Sequence, residues 1–247
     1  MAAPPIDPDF PPPTAFSERD EKYIRERFVR LAEFGRICDM SVRDLRGWQR
    51  NRLFPNPTYV SSDGTEWYPR SCATIVRRAR SQGVSLRSLF FHDFRTKLGR
   101  LRREEPNLFD EIRVARQGQE STDQETIAAY WQVFLSGQYG ACLKVPWVPC
   151  MIQKERLVRR IDTLVAQPHS DDEAWRLRLR RAVDSLDRLE QPFAEWDRVR
   201  FGRPLTRDTR VDAVRTAFPE AFQRQDRAGA TMRIPTRQES NLKVDAA

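Results

Sequence analysis

Apolar residues near the start of the chain recur at the spacing of helices. Leu31, Phe34 and Cys38 are three and four positions apart, and Leu45 and Trp48 repeat the three-residue step after a polar break. Residues three and four apart share one face of an α-helix, so the pattern predicts two short helices joined by a tight turn. This is the arrangement of a helix-turn-helix.

A β-hairpin is predicted directly after these helices. Two prolines end the second helix, and the aromatic and apolar residues at 59–60 and 67–68 flank the sequence Asp63-Gly64. An Asp-Gly pair adopts the positive backbone φ angles that tight hairpin turns require. In a winged helix-turn-helix such a hairpin is the wing.

Helical patterns dominate the second half of the chain. Residues 121–123 offer candidate N-caps for a helix in "QETIAAYWQVFLSG", and Ser170 with Glu173 has the spacing of a capping box for a later helix. Between them, two glycines and two prolines interrupt the apolar stretch 131–162. The predicted fold class is mainly α, a winged helix-turn-helix with a small β-hairpin wing plus a C-terminal helical domain.

Composition divides the chain into four parts. We expect a disordered, proline-rich arm at 1–17, a winged helix-turn-helix domain at 18–103, a helical domain at 104–225 and a disordered tail at 226–247. A first helix is expected to begin near Ser17, whose hydroxyl can cap it.

The positive charge of the chain is concentrated in one segment. Residues 28–103 contain sixteen Lys or Arg and six Asp or Glu, an excess of ten positive charges, whereas the whole chain carries +8. The remainder is therefore slightly negative. A local excess of this kind suits a polyanion such as DNA, whose counterions are released on binding. The alternative is a solvated, arginine-rich surface.

This segment resembles the DNA-binding domain of MerR-type regulators. The helix-turn-helix positions that carry the resemblance are Ser41, Arg43, Leu45, Arg46, Trp48, Leu53, Phe54 and Pro55. The wing positions are Asp63, Gly64 and Tyr68, and Gly83 stands at the corner of the next helix pair. The resemblance covers roughly residues 28–95 and implies a winged helix-turn-helix fold.

The resemblance also implies that the second helix enters the major groove of DNA. Its outward side chains are then Val42, Arg43, Arg46, Gln49 and Arg50. Arg43 and Arg46 are expected to contact bases or phosphates, since arginine is the usual partner of guanine edges. Arg70, Arg77 and Arg78 are expected to contact the DNA backbone.

Three features depart from the MerR pattern. Thr65 and Glu66 replace the arginine that follows the wing glycine, and Gly47 replaces an aromatic residue. The apolar stripe after the domain is short and ends before Pro106, where MerR regulators have a long dimerising coiled coil. These departures weaken the prediction of DNA binding. An alternative is that the winged helix recognises a protein or peptide within a biosynthetic assembly.

A second resemblance lies in the helical half. The motif W-x-x-F-L-x-G-x-Y-G-x-C-L with a later Lys-Glu is similar to that of a bacterial family of unknown function labelled natural product biosynthesis proteins. The matching positions are Trp131, Phe134, Leu135, Gly137, Tyr139, Gly140, Cys142, Leu143, Lys154 and Glu155. The resemblance implies an association with natural product biosynthesis.

Candidate chemistry is sparse. The four cysteines are scattered, without the spacing of a zinc site or a disulfide framework, so we expect no metal and no cofactor. Cys142 would need a nearby base to act as a nucleophile, and no catalytic residue is assigned. A possible pocket is expected at Tyr139, Cys142, Lys154 and Glu155. The alternative is a buried turn in which Gly137 and Gly140 adopt unusual backbone angles.

The sequence favours a cytoplasmic, non-enzymatic DNA-binding or regulatory protein. No apolar run is long enough to span a membrane, and the N-terminus lacks the features of a signal peptide. The helical domain would sense a ligand or a protein partner, and the chain would be a monomer or small oligomer. An alternative is a biosynthetic enzyme with a pocket at 137–155.

Overall fold

A computed structural model of the chain describes residues 12–114, 121–202 and 204–223, and most of these residues are helical. The first elements are α1 (Glu18–Arg27), β1 (Phe28–Arg30), α2 (Leu31–Cys38), α3 (Val42–Arg50), β2 (Tyr59–Val60), β3 (Glu66–Pro69) and α4 (Arg70–Ser81). The middle helices are α5 (Leu86–Glu104), α6 (Pro106–Val114), α7 (Asp123–Leu135), α8 (Gln138–Cys142) and α9 (Val148–Ala166). The last are α10 (Glu173–Leu189), α11 (Glu195–Phe201), α12 (Ala213–Ala217) and α13 (Pro219–Phe222), with a π-helical turn at Asp208–Asp212 before α12.

The expected mainly helical fold with a small β element is confirmed. Of the expected N-terminal arm, only residues 12–17 are described. There the Thr14 N–H donates to the Val60 carbonyl at 2.9 Å. The expected tail lies outside the described residues.

Several helices begin where the sequence places a capping side chain. The Ser17 and Ser41 hydroxyls each accept a hydrogen bond of 3.1 Å from the backbone N–H three residues ahead, at the starts of α1 and α3. Thr122 caps α7 in a capping box with Glu125.

The predicted capping box from Ser170 is wrong. The Asp172 N–H closes a turn onto the His169 carbonyl at 2.9 Å, so the chain becomes helical only at Glu173. Asp172 caps α10 instead, and its carboxylate accepts from the Ala174 N–H at 2.8 Å.

The small sheet has the strand order β1-β3-β2, and both pairings are antiparallel. Its β2–β3 turn contains Gly64 at φ +78°, and the Asp63 carboxylate accepts from the Thr65 N–H at 2.9 Å. The hairpin therefore forms where the Asp-Gly sequence predicts it. Strand β1 was not expected, because only its pairing with the distant β3 makes it a strand.

One hydrophobic core joins the N-terminal elements to the helices that follow α4. The buried stripe of α5 consists of Leu86, Phe90, Phe94, Leu98 and Leu101. The Phe90 ring lies 5.2, 5.5 and 5.3 Å from the rings of Trp131, Phe134 and Trp147, measured between centroids. Phe34 of α2 belongs to the same core. The apolar stripe of α5 is thus buried inside this fold.

Two smaller cores complete the packing. One lies between α9, α10 and the turns and helices after residue 204, around the buried Trp175. The other joins α1 and the sheet to α8 and α11 through Ile24, Tyr59 and Ala141. This third core holds a buried carboxylate, Asp197 of α11, described below.

Two features are absent from the described ranges. None of the helices there is long and apolar enough to cross a membrane. The same ranges contain no cluster of three His, Cys, Asp or Glu side chains that could hold a metal ion.

Candidate functional site

A cavity of about 350 Å³ lies against α8 and α9. Tyr139 and Cys142 of α8 and Lys154 and Glu155 of α9, which are the four predicted pocket residues, all border it. The wall facing them includes Phe193, Phe201, Pro204, Leu205, Thr206, Thr209 and Arg210. No histidine borders it. The structure thus brings together four side chains of different chemistry.

Two glycines fix the position of α8. Gly137 has φ +78°, and a Cβ on it would lie 2.7 Å from the Asn56 carbonyl oxygen and 2.8 Å from that of Pro57. Gly140 does not share the unusual backbone angle expected for it. It is a close-approach position, where a Cβ would collide with the Thr58 hydroxyl and lie 2.7 Å from Pro69 Cγ. The α8 backbone therefore rests directly on the segment before β2.

A buried ion pair lies behind the cavity wall. Lys154 Nζ is 2.7 Å from Glu190 Oε1, and the side chains are 14% and 0% exposed. Neither Glu190 oxygen accepts a hydrogen bond from a described residue other than Lys154. A buried carboxylate with so few partners is costly, which makes its position beside a cavity notable.

Backbone contacts hold Glu190 next to Cys142. Leu143 and Glu190 form an antiparallel β-bridge, and the Gln191 N–H donates to the Cys142 carbonyl at 3.1 Å. The charged side chain of Lys154 completes a three-residue cluster with them. We call Cys142, Lys154 and Glu190 the cavity cluster.

The electrostatics of the cavity cluster keep Lys154 charged. Burial lowers the pKa of Lys154, but the negative charges available at Cys142 and Glu190 more than offset burial, and the net pKa is raised. Burial also raises the pKa of Glu190, and the nearby Lys154 offsets this only in part. No local sequence signal marks Glu190, because only the bridge to Leu143 brings it to the site.

The predicted DNA-contacting residues Arg46 and Gln49 of α3 are engaged within the fold. Arg46 Nη1 lies 2.9 Å from Glu66 Oε2 and donates to Gln49 Oε1 at 2.8 Å. Gln49 Nε2 donates to the Tyr68 hydroxyl at 2.8 Å, and this hydroxyl donates to the Glu66 carboxylate at 2.7 Å. Glu66, the acidic departure from the MerR wing, is thus the partner of Arg46. This network ties α3 to β3.

Arg70 and Arg78 also have acidic partners. Arg70 Nη2 lies 2.6 Å from Glu33 at an exposed position. Arg78 donates to both oxygens of Asp93 at 3.1 and 3.2 Å, and Asp93 accepts from the Trp147 indole at 2.8 Å. Arg78 therefore fastens α4 to α5.

Arg43, Arg50 and Arg77 remain exposed, and none has an ion pair with a described residue. Arg43 and Arg50 are two turns apart on one side of α3. Together with Arg80 they border a shallow groove along that helix. We call Arg43 and Arg50 the α3 arginine pair.

A protein-family model described as "Family of unknown function (DUF6058)" matches residues 86–219, which is more than half of the chain. The chain belongs to the DUF6058 family. Comparisons with curated proteins and with solved structures return no match.

The DUF6058 match covers the cavity but not the N-terminal elements. It contains all residues that border the cavity, together with Glu190. The sheet, α1–α4 and the α3 arginine pair precede it. Residues 28–95, for which the sequence predicts a MerR-like winged helix-turn-helix, thus lie mostly outside the DUF6058 match, and the comparisons do not confirm that prediction.

Proposed function

We propose that the chain is a regulatory protein whose DUF6058 region binds a small polar molecule in the cavity beside Cys142. The observation that carries this proposal is the convergence of a phenol, a thiol, an ammonium and a carboxylate on one cavity of about 350 Å³. Sites for small ligands have volumes of about 300–1,000 Å³ and a few convergent polar groups. Perturbed titratable groups at a cavity also favour a functional role.

The position of α8 suits a sensing role. This helix forms one wall of the cavity, and its backbone rests on the segment 56–58, where Thr58 Oγ1 donates to the Gly137 carbonyl at 3.2 Å. A ligand that displaces α8 would therefore press on the chain just before the hairpin. The hairpin is linked to α3 through the Tyr68 and Gln49 hydrogen bond.

A screen of small polar metabolites tests ligand binding. Hits found by thermal shift on the full chain should give saturable heats in calorimetry, and Val158→Trp, which fills the cavity from α9, should abolish them. Val199→Trp adds the same side chain at an exposed position outside the cavity and should keep them. Hits that persist in Val158→Trp, or a screen without saturable hits, would refute the proposal.

A second candidate function is DNA contact through α3. The exposed α3 arginine pair favours it, because guanidinium groups without acidic partners are available to phosphates and guanine edges. In this proposal α2, α3 and the β2–β3 hairpin act as a winged helix-turn-helix of the MerR kind. Arg46 and Gln49 then orient α3 rather than contact DNA.

A gel-shift assay on genomic DNA fragments tests this second candidate. The double variant Arg43→Ala with Arg50→Ala should lose affinity, and binding by the unmodified chain should weaken steeply as salt rises. Arg95→Ala with Arg103→Ala removes the same charge from exposed positions on α5 and should bind nearly as well. Equal losses in the two double variants would show only unspecific charge attraction and would reject recognition by α3.

A further inference from the structure

The cavity cluster has a composition that the proposed ligand binding does not explain. A small polar ligand needs hydrogen-bond partners, but it does not need a thiol held beside a buried ammonium and carboxylate. Glu190 is completely buried and accepts no hydrogen bond from a described residue other than Lys154, so its position costs stability. Such a cost is common where a group serves chemistry rather than packing.

The surroundings of Cys142 differ from those of the other cysteines. Burial raises the pKa of Cys38 and Cys150, and it raises the pKa of Cys72 to about 12. Cys142 donates to the Tyr139 carbonyl at 3.7 Å and borders a cavity together with Lys154, whose ammonium is stabilised by the negative charge available at Cys142. Thiols beside Lys, Arg or protonated His are the ones that ionise and react.

We propose that Cys142 is a nucleophile that accepts an acyl group from a small activated ester or thioester bound in the cavity, with Lys154 as its charge partner and proton donor. The proposal rests on the proposed function in one respect, since the acyl donor is the ligand of the cavity. It extends that function from reversible binding to covalent capture.

The step replaces the bond between the acyl carbon and the leaving group by a bond to sulfur. The Cys142 thiolate attacks the carbonyl carbon of the donor, and a carbon–sulfur bond forms while the carbonyl electron pair moves to oxygen. The tetrahedral intermediate collapses, the bond to the alkoxide or thiolate leaving group breaks, and the leaving group takes a proton from the Lys154 ammonium. The products are acyl-Cys142, neutral Lys154 and the free alcohol or thiol, and solvent then reprotonates Lys154.

Glu190 is a positioning residue in this step. Its carboxylate lies 2.7 Å from Lys154 Nζ and is fixed by the β-bridge to Leu143, so it holds the ammonium on the side of α9 that faces Cys142. A lysine is suited to protonating a leaving group because its ammonium is a compact donor on a flexible stem. When the thiolate attacks an acyl donor, the leaving group takes this proton at the end of the step. The Lys154 ammonium therefore favours acyl donors over simple alkylating agents.

The first measurement is the rate at which iodoacetamide alkylates each cysteine of the full chain, read by mass spectrometry across pH. Near neutral pH Cys142 should react about tenfold or more faster than Cys150, which is also half-buried and whose pKa is raised by burial. Lys154→Met should remove this difference and move the pH profile of Cys142 upward, whereas Lys154→Arg should retain most of it. Lys22→Met, at an exposed position on α1, is the control for loss of a charge.

The second measurement uses p-nitrophenyl acetate as the acyl donor. Nitrophenolate release should be stoichiometric with an acetyl group found on the Cys142 peptide, and Cys142→Ser should abolish both. If Cys142 reacts no faster than Cys150, if Lys154→Met changes nothing, or if the acetyl group is found elsewhere, the proposal is wrong.

The outcomes also separate this proposal from the proposed function. Reversible binding without acylation would overturn only the nucleophile. Acylation of Cys142 in a chain that gives no hits in the metabolite screen would overturn only the reversible binding of small polar metabolites.

Discussion

Arg43 and Arg46 lie nearly one turn apart on α3, and their surroundings are opposite. Arg43 is exposed without an acidic partner, whereas Arg46 pairs with the Glu66 carboxylate, whose side chain is only 13% exposed. The MerR pattern gives both arginines the same role. The difference arises because β3 brings Glu66 to Arg46, and no local sequence signal encodes that contact.

We expect Arg46→Ala to destabilise the chain by about 1–3 kcal/mol, because it leaves Glu66 without its charge partner in a poorly hydrated position. Arg43→Ala should change stability by less than about 0.5 kcal/mol. Urea denaturation followed by circular dichroism measures both. Equal effects would mean that the network between α3 and β3 contributes little.

Asp197 is the second side chain with a clear energetic signature. Its Oδ2 accepts hydrogen bonds from the Tyr59 hydroxyl at 2.8 Å and from the Ala194 N–H at 2.9 Å. Burial raises its pKa from 3.8 to about 6, against the lowering effect of these hydrogen bonds and of Arg200. In the unfolded chain this carboxyl ionises near pH 4.

The raised pKa predicts a loss of stability as pH increases. Between about pH 4 and pH 6 the folded chain keeps a proton on Asp197 that the unfolded chain has released, so the free energy of unfolding falls with rising pH. The full cost, about 3 kcal/mol at about 1.4 kcal/mol per pH unit, is present above about pH 6. Asp197→Asn should therefore gain stability relative to the unmodified chain as pH rises from about 4 to about 6, and should keep that gain at higher pH.

The comparison is made by urea denaturation at several pH values. Asp171→Asn, at an exposed position, should show no such pH-dependent gain. Parallel stability profiles for Asp197→Asn and the unmodified chain would contradict the expected cost of burial.

Among the elements, α8 connects the cavity to the rest of the fold. Gly137 combines a left-handed backbone with a close approach to the segment 56–58, whereas Gly83, at φ +66°, has open space around its Cβ position. The two glycines therefore separate the cost of backbone conformation from the cost of collision.

Gly83→Ala should destabilise the chain by about 1 kcal/mol, since an alanine in the left-handed region pays only the backbone term. Gly137→Ala should cost clearly more, because its Cβ also meets the carbonyl oxygens of Asn56 and Pro57. Urea denaturation of the two variants measures the difference. Similar losses would mean that α8 can move away from this segment without penalty.

The elements that the sequence predicts are those with local signals. The caps Ser17, Ser41 and Thr122 and the Asp-Gly turn each act within a few residues, and all four are found. Strand β1 and the cavity partner Glu190 depend on residues far away in the chain. The motif predicts the four pocket residues. How their side chains meet depends on the positions of α8 and α9 in the fold, which no local pattern encodes.

For the whole molecule, the decisive feature is the shared core around Phe90. This core includes side chains of α2 and α4 as well as α5, α7 and α9. Composition and charge suggested two separate folded domains, yet the apolar contacts continue across the proposed boundary. The family match also begins at residue 86, inside this core. An association with natural product biosynthesis stays a prediction at this scale.

We expect a fragment of residues 86–247 to lack a cooperative thermal transition, although it retains the whole family match. Removing α1–α4 exposes the α2 and α4 side of the core and the α8 surface that carries the sheet segment. Near-UV circular dichroism and thermal unfolding of the fragment and of the full chain measure this. A fragment that unfolds cooperatively at the temperature of the full chain would show that the shared core is dispensable.

The contact between Gly140 and Thr58 also constrains how related chains can diverge. Because Gly140 has a hydrogen atom in place of a side chain, the Thr58 side chain can occupy the space beside it. A relative with a larger residue at 140 needs a smaller one at 58 together with a displaced Pro69, or a shifted hairpin. The two positions are therefore expected to covary. Substitutions in the N-terminal segment should accompany substitutions in the cavity wall, although this segment lies outside the family match.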